Sequence, residues 1–322
     1  MINNFFGGVL MGKILMTGVD GHVGGIAAEE VLKYVAPEKL IFSAPSLAWI
    51  KKPKFERWEK LGVEFREAPY DDETKLEKAF AGVDRLFMLS TMAIGEKRRE
   101  QHFNAVQAAK NAGVKHIIYS SFKGAEIAEN TPEIAIDHRY TEQLILKSGM
   151  DYNFMRNCLY YDNLLTLFVP LAAKLGNVWH ANSLGGKAGF VAREDVAKVA
   201  AALAAGKGQK NHAYFVTGPD LLSDEDVFNS CETVTGWKCK FDYVSDEELY
   251  AFCDSINIPR TMTGDFSKSP VRICGDDIVD NGRSIRLGYF NVVSDTVKEL
   301  LGREPLSVYD VVKQYKDILP HG

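Results

Sequence analysis

Short apolar, β-branched runs alternate with longer segments of helical periodicity through the first half of the chain. The pattern predicts strands over residues 13–17, 39–43, 63–67, 85–89, 114–120 and 152–156. Helical patterns cover residues 23–34, 73–80, 96–112 and 136–147. Strands that alternate with helices are joined by right-handed crossovers, so the sheet is parallel and helices cover both faces. We therefore expect an α/β fold, a Rossmann-type doubly wound parallel sheet.

The alternation changes beyond residue 157. An apolar helix over residues 159–175 and a glycine-rich stretch over 183–189 precede a return to the sheet at 190–205. The rest of the chain mixes further strands and helices. We predict a dinucleotide-binding domain and a smaller α/β substrate lobe over the C-terminal ends of the parallel strands, where ligands of such sheets bind. The domain covers residues 11–158 and about 189–206, and the lobe covers 159–188 and 207–322.

Composition restricts the possible partners. The 322 residues are 46% hydrophobic and carry a net charge of −5, as in a globular protein with a sizeable core. A chain without excess positive charge offers no bulk field for nucleic acid or anionic lipid. The longest apolar run, residues 164–173, is too short for a membrane span and predicts a buried helix. The first ten residues lack Lys and Arg, so we expect a short extension and not a secretory signal.

The cysteines and histidines indicate the cellular compartment and argue against a metal site. The five cysteines are odd in number and form no C-x-x-C pair, which is a poor pattern for disulfides or structural zinc. The seven histidines are scattered without metal-ligand spacing. We therefore expect reduced thiols in a cytoplasmic protein, and no metal.

The most informative stretch follows the first strand and opens the first helix, and reads Thr17-Gly18-Val19-Asp20-Gly21-His22-Val23-Gly24. Gly18 permits the tight turn, Gly21 lets the backbone approach a pyrophosphate, and Gly24 lets the helix pack against the strand. The helix N-terminus then faces the phosphates. A glycine-rich strand–helix turn without a ligand is the alternative. Strand, spacing and helix together favour a dinucleotide site.

The end of the second strand bears on the choice between NAD and NADP. An acid there would bond the ribose 2′-hydroxyl, but this chain has Ser43 at that point. Lys51 follows, with two further lysines at positions 52 and 54. A hydroxyl and ammonium groups suit a 2′-phosphate, so NADP(H) is favoured over NAD(H), although the arginine common in NADP sites is absent. Alternatively, the lysines begin a solvated helix.

Several motifs together resemble the NmrA-like branch of the atypical short-chain dehydrogenases/reductases. They run from the glycine motif to near the C-terminus and include residues 68–71, 117–121, 142–149, 152–157, 161–163, 190–197, 216–219 and 301–305. The family includes quinone, triphenylmethane-dye, isoflavone and lignan reductases. It also includes regulators that bind the dinucleotide without turning it over. The resemblance therefore specifies the family and leaves the substrate open.

The resemblance also implies roles for residues at the strand ends. The glycine loop would hold the pyrophosphate. The other implied positions are Asp71 near adenine, Ser90 and Thr91 beside the ribose or nicotinamide, and Ser120, Ser121 and Lys123 near the nicotinamide ring. The family often has a lysine before the position of Glu142, where this chain reads Asp-His-Arg-Tyr over residues 137–140. This departure leaves the proton donor open.

The usual catalytic Y-x-x-x-K pair is absent. Matches at residues 119–123 and 309–313 fall at a strand end and in the last helix, and both are interpreted as chance. Lys123, at the end of a parallel strand, is one candidate proton donor, or alternatively an exposed loop lysine. His138 is the other, since an ordinary histidine titrates near neutral pH. Alternatively, His138 is a surface residue paired with Glu142 one turn later.

Candidate substrate residues follow the sixth strand, where the two lobes should meet. Tyr160 and Tyr161 could stack a flat substrate, and Asn163 could fix its orientation. Alternatively, both tyrosines are core aromatics of an amphipathic helix.

Two functional hypotheses follow. The favoured one is an NAD(P)H-dependent reductase, a monomer or homodimer, acting on a planar aromatic or conjugated small molecule such as a quinone, an enone or a phenylpropanoid. The other is a non-catalytic NAD(P)-binding redox sensor, supported by the missing Y-x-x-x-K pair. A lyase or isomerase that retains its dinucleotide is a further alternative.

Overall fold

A computed structural model describes residues 12–322, so the expected extension over the first ten residues lies outside the described residues. The strands are β1 Lys13–Met16, β2 Leu40–Ala44, β3 Glu64–Glu67, β4 Val83–Met88, β5 His116–Phe122, β6 Asp151–Asn157, β7 Val178–Ala181, β8 His212–Val216 and β9 Lys240–Tyr243. The helices are α1 His22–Val31, α2 Lys52–Lys60, α3 Glu73–Phe80, α4 Glu96–Asn111, α5 Glu133–Ser148, α6 Tyr161–Asn163, α7 Val169–Lys174, α8 Arg193–Ala204, α9 Asp224–Thr235, α10 Asp246–Ser255, α11 Gly275–Arg286, α12 Thr296–Leu301 and α13 Val308–Tyr315. None of these helices is long and apolar enough to cross a membrane.

Seven strands form one parallel sheet in the order β3-β2-β1-β4-β5-β6-β8. β1 lies between β2 and β4, with Ile14 paired to Leu40 on one side and to Arg85 on the other. The chain therefore winds outward in both directions from β1, and its switch point is at the C-terminal ends of β1 and β4. The predicted α/β Rossmann-type fold is confirmed.

Side chains of the sheet alternate between two hydrophobic layers. On β1, Ile14 and Met16 pack into one layer and Leu15 into the other. The first layer is covered by α1 and α8 and the second by α3, α4 and α5. Because both faces are covered, every residue of the interior strand β5 is buried. Only the strand ends remain available for a ligand.

The last strand of the sheet corrects the predicted domain boundary. β8 pairs with β6 in the large sheet, although the sequence pattern predicts residues 207–322 in the smaller lobe. The lobe itself contains the two-stranded pair of β7 and β9. Its core includes Trp179, which stacks between Phe168 at 4.9 Å and Phe228 at 5.8 Å.

The helices differ in whether a side chain caps their first turn, and this difference concerns the site at α1. α9, α10 and α13 each begin with a capping box, in which Ser223, Ser245 and Ser307 accept backbone N–H bonds. Gly21 is the N-cap of α1, which, like α2, α4, α5, α8 and α11, has no side-chain cap within the described residues. Its first N–H groups are thus free to bind a ligand.

Candidate functional site

The glycine turn between β1 and α1 places this uncapped helix start at the switch point of the sheet. Gly18 has a φ of +68°, in the left-handed region that favours glycine. A Cβ on Gly24 would lie 2.1 Å from the Gly18 backbone oxygen, so any side chain would push the helix off the turn. The free N–H groups and the helix dipole favour an anion such as a pyrophosphate. The residues present therefore fit the expected dinucleotide.

Thr17 holds the glycine turn in place through hydrogen bonds to the end of β4. Its hydroxyl donates to the Phe87 carbonyl at 3.0 Å and accepts the Leu89 N–H at 2.9 Å. The Tyr70 hydroxyl lies 3.0 Å from Oγ1 of Thr17 and donates to the Leu89 carbonyl. These bonds join the ends of β1 and β4. Thr17 therefore shapes the loop through protein contacts.

Arg193, at the start of α8, brings three of the sequence-predicted residues together. Its guanidinium lies 3.5 Å from Nδ1 of His22, donates to Oδ1 of Asn163 and lies 5.9 Å from the Tyr160 ring centre. Burial and the charge of Arg193 lower the pKa of His22, so its imidazole is neutral. The guanidinium thus adds positive charge beside the glycine turn. Sequence reasoning missed this role, although Arg193 begins the helix within the predicted return to the sheet over residues 190–205.

Of the residues expected at a 2′-phosphate, Ser43 needs correction. Ser43 has 0% exposure, and its hydroxyl donates to the Met16 carbonyl, so it cannot contact a phosphate. β2 is covered on both faces, which buries the side chains on either side of it. Lys51 is exposed at the start of α2. Nζ of Lys54 lies 3.0 Å from the position of a Cβ on Gly25, which places this ammonium beside the first turn of α1.

Polar atoms line the C-terminal ends of β4, β5 and β6. The hydroxyls of Ser90 and Thr91 are enclosed and have no hydrogen-bond partner within residues 12–322. Asn157 donates to Ser120 Oγ at 3.3 Å, while its own Oδ1 is likewise enclosed and unpaired. Buried polar atoms without partners are rare in proteins and point to a ligand or ordered water. These four residues, Ser90, Thr91, Ser120 and Asn157, form a polar row. The nicotinamide and its ribose were expected at this row.

Two other predicted residues are engaged in protein contacts. Ser121 donates to Glu142 at 2.6 Å, and Arg156 binds both oxygens of that carboxylate at 3.0 and 2.7 Å. Asp71 is exposed and pairs with Lys97 at 2.6 Å, which lowers the pKa of its carboxyl. Ser121 thus points toward α5 and Asp71 toward α4, away from the polar row.

Lys123 lies one residue beyond β5 and is 7% exposed, so it is not the exposed loop lysine considered above. Its ammonium forms an ion pair with Glu126 and lies 5.2 Å from the Phe215 ring centre. Its backbone N–H donates to the Asn157 carbonyl at 2.9 Å, which fixes it beside the end of β6. The charge is therefore held at the edge of the polar row.

His138 is buried in a network that removes the argument for it as an acid. Its Nδ1 lies 2.7 Å from the Tyr119 hydroxyl, which is itself 3.4 Å from Nδ1 of His102. Burial and the charge of Arg98 lower the pKa of His138 well below 6.5, so the ring is neutral at neutral pH. The ordinary pKa assumed from the sequence is therefore wrong for this position, and so is the alternative of a surface histidine.

The three candidate substrate residues after β6 have different surroundings. Tyr161 is fully buried and stacks on Phe190 with ring centres 6.0 Å apart, as the core alternative expected. Tyr160 is partly exposed, and its hydroxyl accepts from Asn157 at 3.4 Å. Asn163 binds Arg193. Tyr160 is thus the member of the three that faces the polar row.

Comparison with known families agrees with this geometry. The NmrA-like family model matches residues 11–301, which is most of the chain. The chain belongs to the NmrA-like family. The resemblance found in the motifs is confirmed.

Relatives of this NmrA-like protein include reductases. Quinone oxidoreductase 2 of Escherichia coli (strain K12) is 27% identical over 273 residues, which cover 84% of this chain and 92% of that protein. The structure of Citrobacter sp. triphenylmethane reductase complexed with NADP(H) has a TM-score of 0.79 and 27% identity, covering 94% of this chain and 99% of that chain. The structure of NADPH-dependent quinone oxidoreductase QOR2 of E. coli complexed with NADPH has a TM-score of 0.82 and 25% identity, with the same coverage.

Lys54 gives a test of cofactor choice in this NmrA-like protein. We expect the Lys54 ammonium, which lies beside the first turn of α1, to bind the 2′-phosphate of NADPH. Replacing Lys54 with methionine should therefore weaken NADPH binding by about tenfold. NADH, which lacks that phosphate, should bind as before. Fluorescence titration of both dinucleotides measures the difference, with Lys60→Met as the control that removes an exposed lysine at the far end of α2. Equal weakening for NADH and NADPH would contradict the assignment.

Proposed function

We propose that this protein is an NAD(P)H-dependent oxidoreductase that reduces a planar aromatic or conjugated small molecule, such as a quinone, an enone or a phenylpropanoid. NADP(H) is the favoured cofactor. The observation that carries the proposal is the uncapped start of α1, which the glycine turn opens beside the unpaired hydroxyls of Ser90 and Thr91. An anion site next to polar atoms of this kind suits a dinucleotide that crosses the switch point.

The relatives support both the cofactor and the substrate class. The E. coli and Citrobacter enzymes are named as reductases of quinones and of triphenylmethane dyes, and both structures contain NADP(H) or NADPH. When bound, the dinucleotide supplies a hydride, which with one proton converts a quinone into its hydroquinone. The protein then has to bind, orient and shield the reactants.

Each part of the site has one task in this proposal. The N–H groups of α1 and the guanidinium of Arg193 bind the pyrophosphate. Ser90, Thr91 and Ser120 orient the ribose and nicotinamide. Tyr160 packs against a flat substrate, and Lys123, paired with Glu126, is the candidate proton donor. All five cysteines are free thiols, which supports a cytoplasmic protein; we propose that it acts as a monomer or homodimer.

The assay follows NADPH absorbance in the presence of a panel of quinones, enones and diarylpropanoids. We expect acceptor-dependent oxidation of NADPH by the wild-type protein. Lys123→Met should lower kcat by about 100-fold or more, in the range found for loss of general acid catalysis. Lys147→Met, which removes an exposed lysine at the end of α5, is the control and should match the wild type.

A negative result in this assay would favour one of the alternative functions. Tight binding of NADPH without oxidation by any acceptor would favour the redox sensor, or a lyase or isomerase that retains the dinucleotide. Oxidation that survives in Lys123→Met would keep the reductase and exclude Lys123 as the donor.

A further inference from the structure

The chain leaves the large sheet at the polar row. The pairing of β4 with β5 ends at Met88, whereas Ser90 and Thr91 of the row lie beyond it. The next residue, Met92, is 83% exposed, so Thr91 is the last residue of this segment that is held against the protein. Backbone groups beyond the end of a strand need partners other than the neighbouring strand.

His102 of α4 is the partner of the Thr91 backbone. Its Nε2 accepts the Thr91 N–H at 3.2 Å. A ring nitrogen that accepts a hydrogen bond carries no proton, so the proton of this neutral imidazole is on Nδ1. Nδ1 donates to Oγ1 of Thr141 on α5 at 2.8 Å, and Thr141 donates to the Asp137 carbonyl at 2.9 Å. Each donor and acceptor in this chain of hydrogen bonds therefore has a defined role.

Aromatic neighbours fix the His102 ring. The ring centres of Tyr70 and Tyr119 lie 6.2 and 5.7 Å from the imidazole, and both pairs are edge-to-face. Burial lowers the pKa of His102 to about 3, so the ring stays neutral, and Nε2 stays an acceptor, at neutral pH. His102 thus presents one rigid acceptor to the Thr91 N–H.

The bond to His102 determines where the Thr91 hydroxyl lies. Oγ1 of Thr91 is enclosed and has no hydrogen-bond partner within the described residues, which points to a ligand or ordered water. A threonine side chain has few rotamers, so its hydroxyl follows the position of its backbone. His102 itself is 0% exposed and cannot touch a ligand. Its effect on a ligand would therefore pass through Thr91.

We propose that His102 is a positioning residue for the cofactor. By accepting the Thr91 N–H, it directs the Thr91 hydroxyl to the nicotinamide half of NADP(H). The inference rests on the proposed function, in which the nicotinamide and its ribose lie at the polar row. It extends that function to α4 and α5, whose buried side chains hold the row from inside the protein.

The test compares two ligands and two substitutions of His102. NADPH reaches both halves of the site, whereas adenosine 2′,5′-bisphosphate contains the adenosine half alone. His102→Gln keeps an acceptor at about the distance of Nε2, whereas His102→Asn keeps a polar group at the distance of Nδ1 only. By calorimetric titration, His102→Asn should bind NADPH about tenfold more weakly than the wild type, and His102→Gln within about threefold. Both should bind the bisphosphate as the wild type does.

A double-mutant cycle separates positioning from a general loss of structure. Thr91→Val removes the hydroxyl, keeps the N–H and should weaken NADPH binding by about tenfold. If His102 acts through this hydroxyl, His102→Asn should cost nothing more in the Thr91→Val protein. The double variant should then bind about tenfold more weakly than the wild type, and not about 100-fold. Lys110→Met, an exposed lysine at the far end of α4, is the control and should match the wild type.

Three results would overturn the inference: multiplicative losses in the double variant, equal weakening of both ligands by His102→Asn, or undiminished NADPH binding by Thr91→Val. The last result does not depend on whether a His102 variant folds. The expected binding pattern without oxidation of NADPH by any acceptor would refute the reductase function alone. Oxidation of NADPH without that pattern would refute the role of His102 alone.

Discussion

Replacing Gly21 with valine is expected to weaken NADPH binding by about 100-fold or more and to leave the fold intact. A Cβ at this position would lie 3.4 Å from the Gly18 backbone oxygen, an ordinary contact, and its φ of −84° is open to any residue. Loss of the favourable N-cap residue costs about 1 kcal/mol at most. The added side chain instead occupies the space through which a pyrophosphate approaches the N–H groups of α1.

Gly24→Ala is the matched comparison, because its side chain meets protein and not ligand. The new Cβ would lie 2.1 Å from the oxygen and 2.5 Å from the carbon of Gly18, and these backbone atoms cannot move aside cheaply. Overpacking of this kind costs about 1–3 kcal/mol or more. We expect Gly24→Ala to lower both thermal stability and binding, in contrast to Gly21→Val. Calorimetry and NADPH titration of the two variants separate the effects, and undiminished NADPH binding by Gly21→Val would exclude a pyrophosphate at this turn.

The large sheet and its ligand edge could be predicted because their signals are local. Strand β1, the glycine turn and α1 are contiguous, and each carries its own pattern of apolar residues or glycines. The membership of β8 in this sheet could not be predicted in the same way. β8 pairs with β6 across more than fifty residues, so its place depends on long-range packing that periodicity does not encode.

The direction of individual side chains was harder to predict than the elements that carry them. Ser43 stands at the end of β2, as expected, but its hydroxyl faces the Met16 carbonyl inside the sheet. His138 could have been recognised as buried. It shares a helix face with Ala135, Glu142 and Ile145, and spacings of three and four residues mark the inner face of α5. Arg98 and its nearest carboxylate, Asp137, come from separate helices, and therefore only the structure shows that they lie 3.8 Å apart.

Acid is expected to destabilise the protein steeply below about pH 6.5, because the folded state holds buried histidines neutral. Burial and the charge of Arg98 lower the pKa of His102 to about 3, and the pKa of His138 is also well below 6.5. Unfolded histidines take up protons near pH 6.5, so the unfolded state binds more protons as the pH falls. Each such histidine removes about 1.4 kcal/mol of unfolding free energy per pH unit. This loss begins at the unfolded pKa and continues toward the folded one.

Asp277 acts in the opposite direction and reduces the net slope. Burial raises its pKa to about 6, so the stability that its neutral form contributes is full at low pH and is lost as the pH rises through about 6. Urea unfolding between about pH 7 and pH 5 should still show a falling free energy, since burial lowers the pKa of His102, His138 and also His116, the last to about 4. His102→Gln should reduce the slope by about one proton, or 1.4 kcal/mol per pH unit. His212→Gln, at an exposed position, should not change it. An unchanged slope in His102→Gln would mean that this ring is protonated in the folded protein.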